Sequence, residues 1–219
     1  MGITDRKERE KQELKDLILK EAKAVFLEEG YEKTSIRKIA DRIEYSPTTI
    51  YLYFKDKSDL LLELHRQSFH QFFMVLSSVS NIEDPFERLI QTGKRYIEYG
   101  INNPEAYELK FQLKAPLEAL ECKNEIWSDG QKAICFVQEI VDRCIDAGYF
   151  SKSMDSESMS IMLWAEVHGL VTLYNSNRLD MFKYKKDVIT MINEAFNLFI
   201  KFLQMFAQDK AHLLINPNI

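Results

Sequence analysis

The side chains of this 219-residue chain that could do chemistry gather between Thr34 and Lys57, in TSIRKIADRIEYSPTTIYLYFKDK, and they are hydroxyls, rings and cations. That mixture suits recognition rather than catalysis. At about 100 degrees per helical residue, Thr48, Leu52 and Lys55 project to one side, with Thr49 and Tyr51 beside them, while Ile50 and Phe54 turn inward. Hydroxyls, rings and a methyl-bearing surface can read base edges and thymine methyls in a major groove. Lys55, Lys57, Arg37 and the Thr34/Ser35 pair, with the amides of two helix starts, are phosphate partners.

Other chemistries lack an anchor. The histidines His65, His70, His168 and His212 show no H-E-x-x-H or paired spacing with the cysteines, so no metal site is expected. No G-x-S-x-G, P-loop or G-x-G-x-x-G occurs, so neither an enzyme nor a bound cofactor is expected. Carboxylates alternate with lysines along helix faces, as at Glu8, Lys11 and Lys15, which is the pattern of a solvated surface. Cys122, Cys135 and Cys144 form no C-x-x-C pair and read as packing thiols of a reducing compartment.

The elements that must hold the recognition residues are short helices with clear start signals. Thr34 or Ser35 can cap a helix whose Ile36, Ile39, Ala40 and Ile43 make one apolar stripe. Ser46 then caps a second helix from Pro47 to Phe54, with Tyr45 placed to staple against Ile50. Before them, a helix carrying Leu14, Ile18, Ala22, Val25 and Phe26 runs to about Glu29 and stops at Gly30. After them, a fourth helix starts in the acid-rich turn at Asp56 and continues to about Ser80.

Glu29-Gly30-Tyr31, Thr34-Ser35, Ile39-Ala40, the run from Tyr45 to Tyr51, Tyr53-Phe54 and Lys57 together resemble the DNA-binding domain of the TetR (tetracycline-repressor) family of bacterial regulators. The resemblance covers about the first 70 residues. It implies a homodimer that places two such helices about 34 Å apart on a palindromic operator in double-stranded DNA. It also implies DNA contacts from Thr34, Ser35, Arg37, Tyr45, Ser46, Pro47, Thr48, Thr49, Tyr51, Leu52, Tyr53, Lys55 and Lys57. One departure is Glu44, where many members have Gly in the turn; a positive φ there costs a non-glycine residue roughly 1 kcal/mol.

Composition agrees with an all-α chain: 7 Gly and 5 Pro are too few for many turns. No run of 18 apolar residues occurs and the first residues are charged, so the expectation is a cytoplasmic protein without a membrane partner. The net charge of −5 is unevenly placed, with residues 1–60 holding 13 Lys/Arg against 13 Asp/Glu. The head is therefore neutral, and its binding depends on placed cations and on dimerisation rather than on a general positive field.

The expected architecture is about nine helices. A charged, flexible arm (1–10) precedes a helix-turn-helix domain (11–56), a connecting helix (57–80) and a larger effector-binding and dimerisation domain (81–219). In the last of these, LWAEVHGLVTLY places Trp164, His168 and Gly169 in a W-x-x-x-H-G spacing that resembles the signature of a ligand-binding and dimerisation domain in some TetR regulators. The aromatics Tyr96, Tyr99, Phe111, Trp127, Phe136 and Trp164, with His168, are the candidate wall of a pocket for a small, mostly apolar effector. The helices over 155–174 and 186–207 are apolar on more than one face, and a second subunit would cover Ala165, Gly169, Ile192, Phe196, Phe199 and Leu203. The reading is thus a ligand-responsive regulator, most simply a repressor; the competing one is a helical binding or scaffold protein that keeps the head as a packing unit.

Overall fold

A computed structural model describes residues 3–111, 128–181 and 185–213. Among them nine α-helices follow one another: α1 Ile3–Glu29, α2 Ile36–Arg42, α3 Pro47–Tyr51, α4 Lys57–Ser77, α5 Pro85–Asn102, α6 Pro104–Phe111, α7 Ser128–Asp146, α8 Ser156–Asn175 and α9 Val188–Leu213. A 3-10 turn at Leu179–Met181 lies between the last two. The described residues include no strand.

Helix ends are set where the sequence supplies the chemistry. Ser35, Ser46, Asp84 and Asp155 each accept the backbone N–H three residues on, which satisfies an otherwise orphaned donor. Gly30 and Gly148 reach φ of 81° and 82° just past α1 and α7, the left-handed step that closes a helix. Residues 3–10, expected to be a loose arm, continue α1, where Arg6 with Glu10 and Arg9 with Glu13 pair one turn apart.

Two compact units emerge, and their boundary differs from the expected one at residue 81. The first takes the described residues to Gln71 together with 105–111; the second takes 72–104, 128–181 and 185–213. Within the first, Ile18, Ala22, Val25 and Phe26 of α1 meet Ile36, Ile39 and Ala40 of α2, Ile50, Phe54, and Leu60, Leu61 and Leu64 of α4. Leu109 of α6 belongs to the same core, which is why 105–111 groups with the head. Each such fully buried aliphatic contributes roughly 1.5–3 kcal/mol relative to exposure.

In the second unit α5, α7 and α8 pack on one another, and α9 packs on α8. Gly93 lets helices come close here: a Cβ added to it would lie 2.6 Å from the Phe196 ring. Ile192, Phe196, Ile200 and Leu203 of α9 are buried within this single chain. Ile192, Phe196 and Leu203 were expected at a subunit interface, but the chain's own helices already cover them.

Candidate nucleic-acid and effector sites

The recognition surface is built from three local devices in the first unit. Ser35 is the N-cap of α2, accepting from Lys38 N at 3.3 Å. Thr34 is the alternative cap in the sequence, but it is 3% exposed and its hydroxyl donates to Gly30 O at 2.8 Å, closing the turn after α1. Burial removes it from the phosphate-facing set. The turn between α2 and α3 carries Glu44 at φ 60°, with Tyr45 N donating to Ala40 O at 3.0 Å and Glu44 N to Asp41 O at 3.3 Å. That bond pair is a Schellman motif made with glutamate in the place glycine prefers.

Ser46 caps α3, with Pro47 in its first turn. The helix is shorter than the expected Pro47–Phe54, because Leu52 N and Tyr53 N bond the carbonyls three residues back, Thr49 O at 3.2 Å and Ile50 O at 2.9 Å, a tighter turn than an α-helix. Its two sides separate cleanly. Ile50 and Phe54 are buried, whereas Leu52 is 78% exposed, Tyr51 56% and Tyr45 45%, with Ser46, Thr48 and Lys55 exposed beside them. Thr49, Pro47 and Tyr53 are half-buried at the edge.

Cations around this face divide into two groups. Arg37 and Lys55 are exposed, and no described residue forms an ion pair with Arg37. Lys57, expected on a phosphate, instead donates to Tyr31 O at 3.0 Å and Glu32 O at 3.4 Å, with its ammonium 4.3 Å from the centre of the Tyr31 ring. It ties the start of α4 to the turn after α1. Arg42, which the sequence did not single out, forks onto Glu28 at 2.6 and 2.8 Å and reaches Glu21 with Nε at 2.9 Å. The Glu28 carboxyl is held below its ordinary range by that guanidinium. Glu21 and Glu28, seven residues apart on one face of α1, were the legible signal for an arginine clamp.

The second unit holds most of the candidate effector wall. Trp164 Nε1 donates to Tyr96 Oη at 3.0 Å, and Tyr96 Oη lies 3.1 Å from His168 Nδ1. Burial pushes the His168 pKa down. Phe72 packs on Tyr96 and Tyr99, both with ring centres 5.2 Å away, and Phe73 lies 6.1 Å from Phe136. Phe111 belongs to the first unit, where it packs against Phe69 and Tyr107. Trp127 lies outside the described residues.

Of the expected dimer residues, Ala165 is exposed and Gly169 and Phe199 are half-buried. Gly169 faces open space, with nothing within 4 Å of an added Cβ. Ile161, Ala165, Gly169 and Leu173 follow at four-residue intervals, so the large residues Ile161 and Leu173 flank these small ones on one helix face. On α9, Leu198, Phe202 and Met205 are exposed in the same manner.

A capped short helix with an outward Leu-Thr-Tyr face, held on a three-helix core, defines a helix-turn-helix DNA-binding regulator. Comparison with known proteins agrees. Residues 18–64 match the family model of bacterial regulatory proteins of the tetR family, and residues 89–196 match that of the tetracyclin repressor-like C-terminal domain. The chain belongs to the TetR family and is a transcription regulator, not an enzyme. It is 22% identical over 184 residues to the fatty acid metabolism regulator protein of Bacillus subtilis (strain 168), covering 84% of this chain and 92% of that protein.

Among solved structures, the transcriptional regulator FadR from Bacillus subtilis in complex with stearoyl-CoA is similar at a TM-score of 0.68. The two are 22% identical, over 84% of this chain and 96% of that one. The fatty acid degradation regulator FadR from Bacillus halodurans gives 0.66 at 21% identity, over 84% and 93%. Among the described residues no helix is long and apolar enough to cross a membrane.

Proposed function

We propose that this regulator is a homodimeric repressor that lays α3 into the major groove of a palindromic operator and leaves it when a fatty acyl effector enters the second unit. The observation that carries the DNA reading is Leu52 exposed beside Thr48 and Tyr51 while Ile50 and Phe54 of the same short segment are buried. Base contacts fall to Thr48, Tyr51 and Leu52, and phosphate contacts to Ser35, Arg37, Tyr45 and Lys55. The dimer is supported by the exposed stripe of Ile161, Ala165, Gly169 and Leu173 on α8 with Leu198 and Phe202 on α9, and by the family's habit of pairing. The acyl effector is supported by the aromatic group around Tyr96 and by the stearoyl-CoA bound to the Bacillus subtilis relative.

The mechanism is a population shift: the effector binds better to the conformer whose reading helices are wrongly spaced for the operator. A differential affinity of a few kcal/mol is enough. The test is a mobility shift with DNA upstream of the protein's own gene, at fixed salt, with and without stearoyl-CoA. A retarded band lost on adding the thioester supports the reading, and loss of sequence preference in Thr48→Ala supports the role of α3. No binding to any upstream DNA by the intact dimer refutes it and favours a scaffold role. Sedimentation of Ile161→Glu reads the interface: a monomer is expected, and an undisturbed dimer places pairing elsewhere.

A further inference from the structure

The face of α8 that meets α5 carries polar side chains where a helical core position would ordinarily be apolar. Trp164, His168, Thr172 and Asn175 follow at intervals of four, four and three residues, so they line one side of the helix. Opposite them, Tyr96 joins Trp164 and His168 through its hydroxyl, and Gly100 O accepts from Asn175 Nδ2 at 3.1 Å. Two atoms of this stripe are buried and make no hydrogen bond: Thr172 Oγ1 and Asn175 Oδ1. A buried polar atom without a partner is costly, so a pair of them on one stripe marks a place for something that carries both a donor and an acceptor.

We propose that this stripe receives the acyl-pantetheine junction of an acyl-coenzyme A, with Thr172 donating to the thioester carbonyl and Asn175 Oδ1 accepting from the adjoining amide N–H. The inference rests on the reading of the second unit as an acyl-effector chamber and adds which atoms recognise which group. Thr172 and Asn175 are roughly 4.5 Å apart along the helix axis. In the ligand the carbonyl and the first amide nitrogen are separated by a sulfur and two methylenes, a comparable reach. Among the described residues hydrogen-bonded to this stripe none is a lysine or arginine, and burial disfavours the charged form of His168. A thioester carbonyl carries no charge and enters such a setting at less desolvation cost than a free carboxylate. The apolar tail is served by Phe72 and Tyr99, which pack beside Tyr96.

The experiment compares three probes on the full-length protein by calorimetry: stearoyl-CoA, S-octadecyl-CoA, whose thioether lacks the carbonyl, and stearate. Wild type is expected to bind stearoyl-CoA about tenfold more tightly than the thioether, the worth of one hydrogen bond to a buried group, and to bind stearate more weakly still. Thr172→Val is expected to bind thioester and thioether alike, and Thr172→Ser to restore the preference. Because the hydroxyl has no partner without ligand, Thr172→Val is expected to melt at the same temperature as wild type or higher. Equal binding of thioester and thioether by wild type, a preference that survives Thr172→Val, or a marked fall in its melting temperature overturns the assignment. If none of the three probes binds wild type, the acyl reading itself falls, and this inference with it. If they bind and Thr172 does not matter, only the assignment of the stripe falls.

Discussion

Replacing Arg37 and Lys57 with alanine, one at a time, separates the two roles a cation can have in this head. Lys57 is half-buried, with its ammonium 3.0 and 3.4 Å from two backbone carbonyls and 4.3 Å from the Tyr31 ring centre. A charged donor on a carbonyl contributes roughly 1.5–3 kcal/mol, and a cation over a partly exposed ring about 0.5–1. Water replaces part of this after truncation, so Lys57→Ala is expected to lower unfolding stability by about 1–2 kcal/mol. Arg37 is exposed, so Arg37→Ala should leave stability unchanged. Its loss should instead flatten the dependence of operator affinity on salt. One phosphate contact fewer changes the logarithmic slope by about 0.9, or roughly 3.5-fold in relative affinity between about 50 and 200 mM salt. Urea titrations give the first quantity and operator titrations at several salt concentrations the second. If Lys57→Ala keeps its urea midpoint while losing about 0.9 of slope, or if Arg37→Ala leaves the slope alone, the division of roles is wrong.

Three further outcomes follow from single positions. Glu44→Gly relieves a φ of 60° and should stabilise the head by up to about 1 kcal/mol in urea titration, less the extra freedom glycine has when unfolded; destabilisation would mean the side chain has a partner that outweighs the strain. His65 is buried and its pKa is pushed down to about 4 from 6.5 by desolvation, so the unfolded chain binds the extra proton between those values. Stability from this group is whole above 6.5 and lost as the pH falls towards 4, amounting to roughly 2 kcal/mol between about pH 7 and 5; His65→Asn should remove that part of the pH dependence of the urea midpoint. Gly93→Ala sets a Cβ 2.6 Å from the Phe196 ring and should cost about 1–2 kcal/mol even after the gain in helix propensity, with Phe196→Leu restoring much of the loss; an additive pair would show that the two do not touch.

The head was legible because its signals are local. Ser35, Ser46, Pro47 and Gly30 act on their own backbone neighbours, and the spacing of Ile36, Ile39 and Ala40 defines a buried side without knowledge of what lies on it. Where the reading missed, the deciding partner was distant in sequence. Thr34 and Ser35 are equally good caps by type, and only the Gly30 carbonyl, brought near by the turn, draws Thr34 inward. Lys57 looked like a phosphate ligand because its carbonyl partners, on Tyr31 and Glu32, carry no side-chain signal. Arg42 was passed over although Glu21 and Glu28 share one face of α1, since its clamp needs α1 and α2 to cross where those carboxylates face it.

Helices with two apolar faces pose a harder problem, and they bear directly on assembly. A sequence shows that α9 is apolar at Ile192, Phe196, Phe199, Leu203 and also at Leu198, Phe202 and Met205, but periodicity alone does not say which face the chain's own helices take first. Gly93 decides it: by omitting a side chain it admits the Phe196 ring, so the Phe196 face turns inward and Leu198, Phe202 and Met205 are left outward. The same logic runs on α8, where Val167 and Val171 are buried and Ile161 and Leu173 are not. A missing side chain on α5 therefore selects which surface of α9 stays exposed. It follows that substitutions at Gly93 should perturb the proposed dimer as well as stability, because turning α9 to relieve the Phe196 contact also re-aims Phe202, which the proposed interface uses.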